Sequence, residues 1–235
     1  MRGTALKIVQ QAAVELGLPM PLTGIGSGDL STLQFFALLN AVGADMALIY
    51  DWNELTRVGQ ITSIANQSIY PLPVDYQKML NGTMWNSQQL GFGMPVVTPQ
   101  QWQFIKNSSL GSQINSQWRV MNNAMWITPT PTDTNMSMTF EYQSSAWVES
   151  GTIPNTYLNM IETDQDSPVF DFWLMVKMLK VKMWVAKGLD TSMLAAEAQG
   201  VLASLTGGNN ASQVLSLAPR NFLANPNVPE GSWNA

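Results

Sequence analysis

Four acidic residues in the second half of the chain form the densest group that could do chemistry. The group consists of Glu162, Asp164, Asp166 and Asp171. Alternating carboxylates are typical of a calcium loop, but that loop needs a glycine at its sixth position, and Ser167 followed by Pro168 occupies this region. Carboxylates at the start of a helix also complement the helix dipole. The pattern therefore favours helix capping, with calcium binding as the alternative.

Three alternating glycines, Gly24, Gly26 and Gly28, suggest a loop that could wrap a phosphate group. The dinucleotide fingerprint would need a glycine where Asp29 stands, and no strand precedes the loop. A flexible connection between two helices is the favoured interpretation.

Paired carboxylates are the remaining enzymatic option. The candidates are Glu54, Asp75, Glu141 and Glu149. They could meet in the fold and hydrolyse a sugar linkage, although no spacing motif joins them. The chain has no cysteine and no histidine, which removes thiolate chemistry, the usual zinc sites and histidine bases. We therefore expect no catalysis, no metal and no cofactor, and a hydrolase is the last of the alternatives.

Nine tryptophans are many for this length, and five of them fall in the middle of the chain. The five are Trp85, Trp102, Trp118, Trp126 and Trp147. Tryptophan most often packs in cores and subunit interfaces, whereas an exposed ring can stack on a sugar or on a partner. We assign Trp85, Trp102 and Trp118 to a platform for a protein partner, and carbohydrate binding by this region is the alternative.

Composition limits the partners that the surface can take. Only 11% of the 235 residues are charged, less than half of the roughly 25% typical of soluble domains, so uncharged polar side chains must cover much of the surface. The net charge of −5 argues against tight binding of DNA. Because no continuous apolar run and no signal-peptide pattern is present, we expect no membrane span and a protein that stays in the cytoplasm.

Helical periodicity predicts a first pair of helices at 4–16 and 32–50, with Asp29 or Ser31 as the cap of the second. The side chains expected to face inward from the second helix are Phe35, Leu38, Leu39, Val42, Met46 and Ile49. The two helices together predict a helical hairpin.

A second pair of helices is expected near the other end of the chain. Ser167 would cap a helix at 168–187, with Pro168 in its first turn, and a last helix at 190–205 would end at Gly207. The polar stripe of the 168–187 helix consists of Lys177, Lys180 and Lys187. A solvated face is the simplest interpretation of this stripe, and contact with acidic groups of a partner is the alternative.

Between residues 52 and 148 the apolar pattern alternates as it does in strands. Strands are expected at 56–64, 66–73 and 136–143, and a hairpin at 117–128 around Asn122-Asn123. This region also contains an Asn-Gly turn at 81–82 and a short helix whose cap is Thr98 and whose first residue is Pro99.

The last residues, 208–235, cannot form a core of their own because their apolar side chains are isolated among Asn, Pro and Ser. Apolar residues without a local core usually bind something else, so we expect an extended arm on a neighbouring subunit or partner. The expected contact residues of the arm are Leu215, Leu217, Arg220, Phe222, Leu223 and Trp233.

The fold class that follows is α+β. A helical bundle scaffold would comprise residues 1–51 and 149–207, with a β-rich insertion at 52–148 and an extended C-terminal arm at 208–235. The scaffold would contain two N-terminal and two C-terminal helices.

This order of elements resembles the head-to-tail adaptors of short-tailed bacteriophages, also known as tail tubular or head-completion proteins. Those adaptors have a helix pair, an inserted β-rich segment, two further helices and a C-terminal extension, so the resemblance covers nearly the whole chain. Two stretches are also similar locally, namely YDWNELTR at 50–57 and SIYPLPVDYQKMLNGTMW at 68–85.

The resemblance implies a virion structural protein that forms a ring of about twelve copies. The helices would form the ring body, the β insertion would face tail or nozzle proteins, and the arm would reach the portal. DNA would pass through the channel without specific binding. Such a protein lies in the neck and tail of the virion after assembly in the host cytoplasm. The alternative is a carbohydrate- or receptor-binding tail module.

Overall fold

The computed structural model of the chain describes residues 2–80, 82–86, 98–107 and 116–211. Within these residues the helices are α1 (Ala5–Glu15), α2 (Leu30–Ile49), α3 (Pro99–Asn107), α4 (Phe172–Ala186) and α5 (Ser192–Ala211). The strands are β1 (Thr56–Thr62), β2 (Ile69–Pro71), β3 (Tyr76–Met79), β4 (Trp85–Asn86), β5 (Gln117–Met121), β6 (Ala124–Thr128), β7 (Ser137–Ser144), β8 (Val148–Glu149), β9 (Tyr157–Leu158) and β10 (Ser167–Pro168). The α+β class is confirmed.

Local capping explains where α1 and α2 begin. The Thr4 hydroxyl accepts a hydrogen bond from the backbone N–H of Lys7, and the Asp29 carboxylate accepts from the N–H groups of Ser31 and Thr32. Asp29 is therefore the cap, and the predicted positions of both helices are confirmed to within two residues. The inward position of Ile49 was wrong: its side chain is 55% exposed because α2 ends there, past the core.

The predicted start of the third long helix was also wrong. Ser167 and Pro168 form β10, which pairs with β8, and the backbone N–H of Val169 donates to the carbonyl of Trp147. Helix α4 starts at Phe172, where the Asp171 carboxylate accepts hydrogen bonds from two backbone N–H groups. The backbone of residues 167–169 is hydrogen-bonded to the strand β8 and the residue before it, so the helix can begin only after Val169.

Helix α5 runs from Ser192 to Ala211, so Gly207 lies inside the helix and not at its end. The predicted start is close, because the backbone N–H of Ser192 donates to the Asp190 carboxylate at 3.0 Å.

Strand β7 is the centre of the first sheet. It pairs antiparallel with β1 along one edge and with β3 and β4 along the other. Its side chains alternate as expected for a half-buried strand. Met138, Phe140 and Tyr142 are buried, while Thr139 and Glu141 are exposed.

The second sheet has the order β2–β6–β5, and its β5–β6 hairpin turns at Asn122 and Asn123 with φ of 49° and 54°. Asparagine tolerates this left-handed region, and two such residues match the twist of a tight hairpin, which confirms the predicted turn. Helix α3 packs on this hairpin through Trp102 and Ile105. Its predicted cap is confirmed by a hydrogen bond from the Gln101 backbone N–H to the Thr98 hydroxyl.

Buried side chains form two main clusters in the described residues. One joins α1, α2 and α4 with the segments around Trp52 and Trp147. The other lies between the first and second sheets and contains Ile61, Met84, Trp118, Met125 and Phe140 among others. The two clusters give the helices and the sheets separate cores, while the division into scaffold, insertion and arm stays a prediction.

Helix α2 is unusually apolar. By length and composition alone it could cross a membrane. In the described part of the chain it is the one helix with this length and composition, which the core helices of proteins outside membranes can also have. Its inner side packs in the helical core, where Phe35, Leu39 and Met46 are buried.

Candidate functional site

The acidic group at 162–171 holds loops together. Asp166 is 0% exposed, and its carboxylate accepts hydrogen bonds from the backbone N–H groups of Gly151, Glu162 and Thr163 at 2.7–2.9 Å. It also accepts from the Thr163 hydroxyl at 2.7 Å. Burial opposes ionisation of this carboxyl, but the hydrogen bonds outweigh it and hold the pKa of Asp166 below its ordinary value of 3.8.

Asp164 binds the glycine loop of its own chain. Its two carboxylate oxygens accept hydrogen bonds from the backbone N–H of Gly24 at 2.9 Å and of Ile25 at 2.7 Å. These N–H groups are the ones that a bound phosphate would need, so an internal carboxylate stands where the anion would bind. Gly24 is required at this contact, because an added Cβ would lie 2.2 Å from the Phe36 ring.

Of these acidic residues Asp171 caps a helix, at the start of α4. Asp164 and Asp166 bind the backbone of loops instead, so the predicted helix capping was wrong for these two. In the ranges that the structure describes, no three acidic or other ligand-type residues are arranged to hold a metal ion. Sequence reasoning missed the pairing of Asp164 with the glycine loop. The two are about 140 residues apart, and no local pattern reports such a contact.

The lysines of α4 pair with carboxylates on three neighbouring helices of the same chain. Lys177 pairs with Glu197 on α5. Lys180 pairs with Glu15 on α1 at 2.6 Å, and Lys182 pairs with Asp45 on α2 at 2.7 Å. The expected stripe consisted of Lys177, Lys180 and Lys187. Its first two lysines are paired within the chain, so at these positions the stripe is neither a simple solvated face nor available to a partner.

Two of the four carboxylates considered for sugar hydrolysis, Asp75 and Glu149, have structural contacts. Asp75 accepts hydrogen bonds from the hydroxyls of Tyr142 at 2.8 Å and Ser144 at 2.6 Å. Burial, followed by this bond to Asp75, raises the pKa of Tyr142 to about 12. Glu149 forms an ion pair with Arg2 at 3.0 Å. These contacts position strand ends and the N-terminal segment, and they give no support to a catalytic pair.

The three tryptophans of the expected platform do not share one surface. Trp85 is 47% exposed, but Trp102 and Trp118 are each 3% exposed. Trp102 is covered by the contact of α3 with the β5–β6 hairpin, and Trp118 belongs to the core between the sheets. A partner can therefore reach Trp85 directly in this conformation and cannot reach the other two rings.

Trp85 borders an open cleft of about 270 Å³ on the outer side of the first sheet. The cleft is also lined by Val58, Thr83, Thr139 and Glu141, and the side chain of Val58 is 71% exposed. An exposed ring beside hydroxyl groups and a carboxylate can contact either a protein or a sugar.

The expected contact residues of the arm, from Leu215 to Trp233, lie outside the described residues. The arm stays a prediction.

The outward side of α2 is an apolar surface that sequence reasoning missed. Leu30 is 80% exposed, Leu33 44% and Leu48 72%, and the exposed positions between them are mostly alanines. The missed signal is the apolar character of α2 all round its axis, which predicts contact on more than one side.

The described residues thus combine a helical core, an exposed apolar side of α2, a separate core between two sheets and lysines of α4 that pair within the chain. The comparison with known families identifies the class of this protein as a structural adaptor protein of bacteriophages. The family model described as SU10 adaptor protein matches residues 4–163, which are 160 of the 235 residues. The chain belongs to the SU10 adaptor protein family.

No curated protein sequence matches the chain significantly. Family membership alone places the protein in the neck of the virion, and adaptors of this kind interact in general with portal and tail proteins.

Proposed function

We propose that this adaptor forms a ring between the portal and the tail, and that DNA passes through the ring. The observation that carries the proposal is the family match over residues 4–163, which includes α1, α2 and both main sheets. The resemblance to head-to-tail adaptors implies about twelve copies, which a heterologous contact repeated around a closed ring would join.

The portal would be bound by the C-terminal arm. The chain continues for 24 residues beyond the end of α5 at Ala211, and this segment includes Leu217, Phe222 and Trp233. A segment of 24 residues can span at most about 80 Å. Ordering of such a segment on binding is common when its own composition cannot form a core.

The tail partner would meet the outer side of the first sheet. Trp85 is the exposed member of the expected platform, and Val58 adds apolar surface beside it. Aromatic side chains of this kind dominate the binding energy of many interfaces.

The function needs neither catalysis nor a cofactor. The carboxylates Asp75, Asp164 and Asp166 accept hydrogen bonds that join separate segments of the chain, so their task is structural. The net charge of −5 suits a ring that DNA crosses without being held.

Native mass spectrometry of the full-length protein, alone and with the portal of the same virus, tests the proposal. We expect a single defined multiple of the subunit on the portal. The chain truncated after Ala211 should keep the melting temperature of the full-length protein and fail to join the portal. The matched control is Ser216→Ala, which we expect to bind, whereas Leu217→Ser with Phe222→Ser should not. A full-length protein that never joins the portal contradicts the adaptor proposal, and normal binding of the truncated chain contradicts the role of the arm.

A carbohydrate-binding tail module is the second candidate, and the cleft beside Trp85 favours it. Thr83, Thr139 and Glu141 line the same cleft as the exposed ring, so a ligand with hydroxyl groups would meet both an aromatic face and polar side chains there. A glycan array distinguishes the two: a defined hit that Trp85→Ala removes supports sugar binding, and an array without a hit contradicts it. The buried Trp102 and Trp118 are unsuitable for this test, since their replacement would disturb packing.

A further inference from the structure

Helix α2 exposes a continuous apolar stripe along its outward side. The stripe consists of Leu30, Leu33, Ala37, Ala41, Ala44 and Leu48, all of them exposed. Their spacing of three or four residues places them on one side of a helix, over a length of about 27 Å. Leucines lie at both ends of the stripe and alanines lie between them, so another helix could approach closely at the middle.

Helix α5 exposes a second uncharged stripe. It consists of Met193, Ala196, Gly200, Ser204 and Gly207, again at spacings of three or four residues and all exposed. The length of this stripe is about 21 Å, close to that of the α2 stripe. No charged residue occurs from Gln199 to Ala211, and Glu197 at the edge is already paired with Lys177.

The two stripes lie on different sides of the bundle because α4 packs between their helices. Lys177 binds α5 and Lys182 binds α2, and five residues of an α-helix turn the direction by about 140°. Each stripe points away from the helical core, because the opposite side of its helix faces that core. On α2 the inner side chains include Leu39 and Met46, and on α5 they include Leu202 and Leu205.

A closed ring of identical subunits needs two different surfaces on each subunit, one for each neighbour. It also needs contact surfaces free of like charge, because every copy carries a net charge of −5. The stripes on α2 and α5 satisfy both conditions. Small residues on α5 leave shallow grooves that can receive the leucines of α2.

We propose that the α2 stripe of one copy packs against the α5 stripe of the next copy, and that this contact repeats around the ring. The inference rests on the proposed ring and deepens it by naming the two surfaces that meet. The occupant of each stripe is thus a second copy of this chain.

Cysteine cross-linking tests this contact, because the natural chain has no cysteine. Ala41→Cys marks the middle of the α2 stripe and Gly200→Cys the middle of the α5 stripe, so the result does not depend on the direction in which the helices cross. The two variants are mixed with each other and with the portal, then treated with a short bismaleimide. The matched control pairs Gly200→Cys with Gln60→Cys, an exposed position on β1.

We expect the mixed variants to give a covalent dimer at least tenfold above the control pair and above either variant alone. A chain with both cysteines should give a ladder of covalent oligomers up to the size of the ring. Dimers from Ala41→Cys alone would mean that two α2 stripes meet and would overturn the inference. Rings that form on the portal without cross-linking of the mixed pair would overturn it as well and leave the adaptor function standing.

A charge in the α2 stripe provides an independent measurement. Ala41→Glu should leave the melting temperature of the monomer unchanged, because residue 41 is exposed, and should reduce the assembled multiple on the portal at least tenfold. Gln60→Glu, with the same added charge, should assemble normally. Normal assembly of Ala41→Glu would overturn the inference, whereas failure of the unmodified protein to assemble on the portal would overturn the proposed function itself.

Discussion

Asp166 stabilises the fold through its negative charge. It is buried and accepts four hydrogen bonds from three residues that lie in two different loops. Replacement by asparagine keeps the size but removes the charge and one acceptor oxygen. We expect Asp166→Asn to lower the free energy of unfolding by about 1–3 kcal/mol in denaturant titration. Glu162→Gln, at an exposed neighbouring position, should change it little, and equal effects of the two variants would contradict the assignment.

The effect of Asp166 depends on pH in a defined direction. Its pKa in the folded protein lies below the ordinary value of 3.8, so its contribution is present above that value and is lost as the pH falls through the folded-state pKa. The difference in stability between the natural chain and Asp166→Asn should therefore be constant near neutral pH and shrink in acid. Unfolding curves at a series of pH values measure it, and a difference that grows in acid would contradict the sign.

The ion pair of Lys180 and Glu15 should matter more than an exposed pair. The Lys180 side chain is 10% exposed, whereas Lys78, paired with Asp51, is 60% exposed. Glu15→Gln leaves a buried ammonium without its counter-charge, and we expect a loss of about 1–3 kcal/mol. The control Asp51→Asn should cost less than about 0.5 kcal/mol. Thermal or denaturant unfolding of both variants measures the two losses of stability. Equal losses would mean that solvent screens both ion pairs to the same extent and would contradict this prediction.

At the scale of single elements, Gly43 determines how closely α2 approaches the segment before β8. An added Cβ at Gly43 would lie 2.1 Å from the ring of Trp147, which is 1% exposed and cannot move aside easily. We expect Gly43→Ala to lower the free energy of unfolding by about 1–3 kcal/mol, despite the better helix propensity of alanine.

Helix α5 contains the matched control for this substitution. Gly200 has no atom within 4 Å of an added Cβ, so Gly200→Ala should raise the stability by about 0.5–1 kcal/mol in the same denaturant titration. Stabilisation by both substitutions would mean that α2 and Trp147 are not in close contact.

The start of α4 illustrates a competition between elements. Ser167-Pro168 is a good helix start by local preference, and the chain uses it in a strand because β8 supplies a pairing partner. Tertiary pairing therefore overrides a local signal that is correct for many other helices. Gly207, another local stop signal, also lies inside a helix, although no tertiary contact of this glycine explains it.

At the scale of the whole molecule, the net charge of −5 predicts weak interaction with DNA. Basic surfaces normally supply the affinity for phosphates, and the lysines Lys177, Lys180 and Lys182 are already paired. We expect a dissociation constant for duplex DNA above about 100 µM at physiological salt. Fluorescence anisotropy with labelled DNA measures it, and binding in the micromolar range would contradict a passive channel.

The sequence by itself determined the class of fold, most element positions and the caps of two helices. These features depend on local periodicity, on cap side chains such as Asp29 and Thr98, and on the turn at Asn122-Asn123, all of which act over a few residues. The order of elements along the chain was enough to suggest the adaptor family.

Only the tertiary structure decided which side chains are buried together and which remain outside. It placed Trp102 and Trp118 in cores and Trp85 on the surface, and it brought Asp164 to a loop about 140 residues away. The structure also decided which side of the apolar helix α2 is buried in the core and which side forms the exposed stripe. The physical reason is that burial and long-range pairing depend on how the helices and sheets pack against one another. The sequence around a tryptophan, or along an apolar helix, does not report which side will be covered.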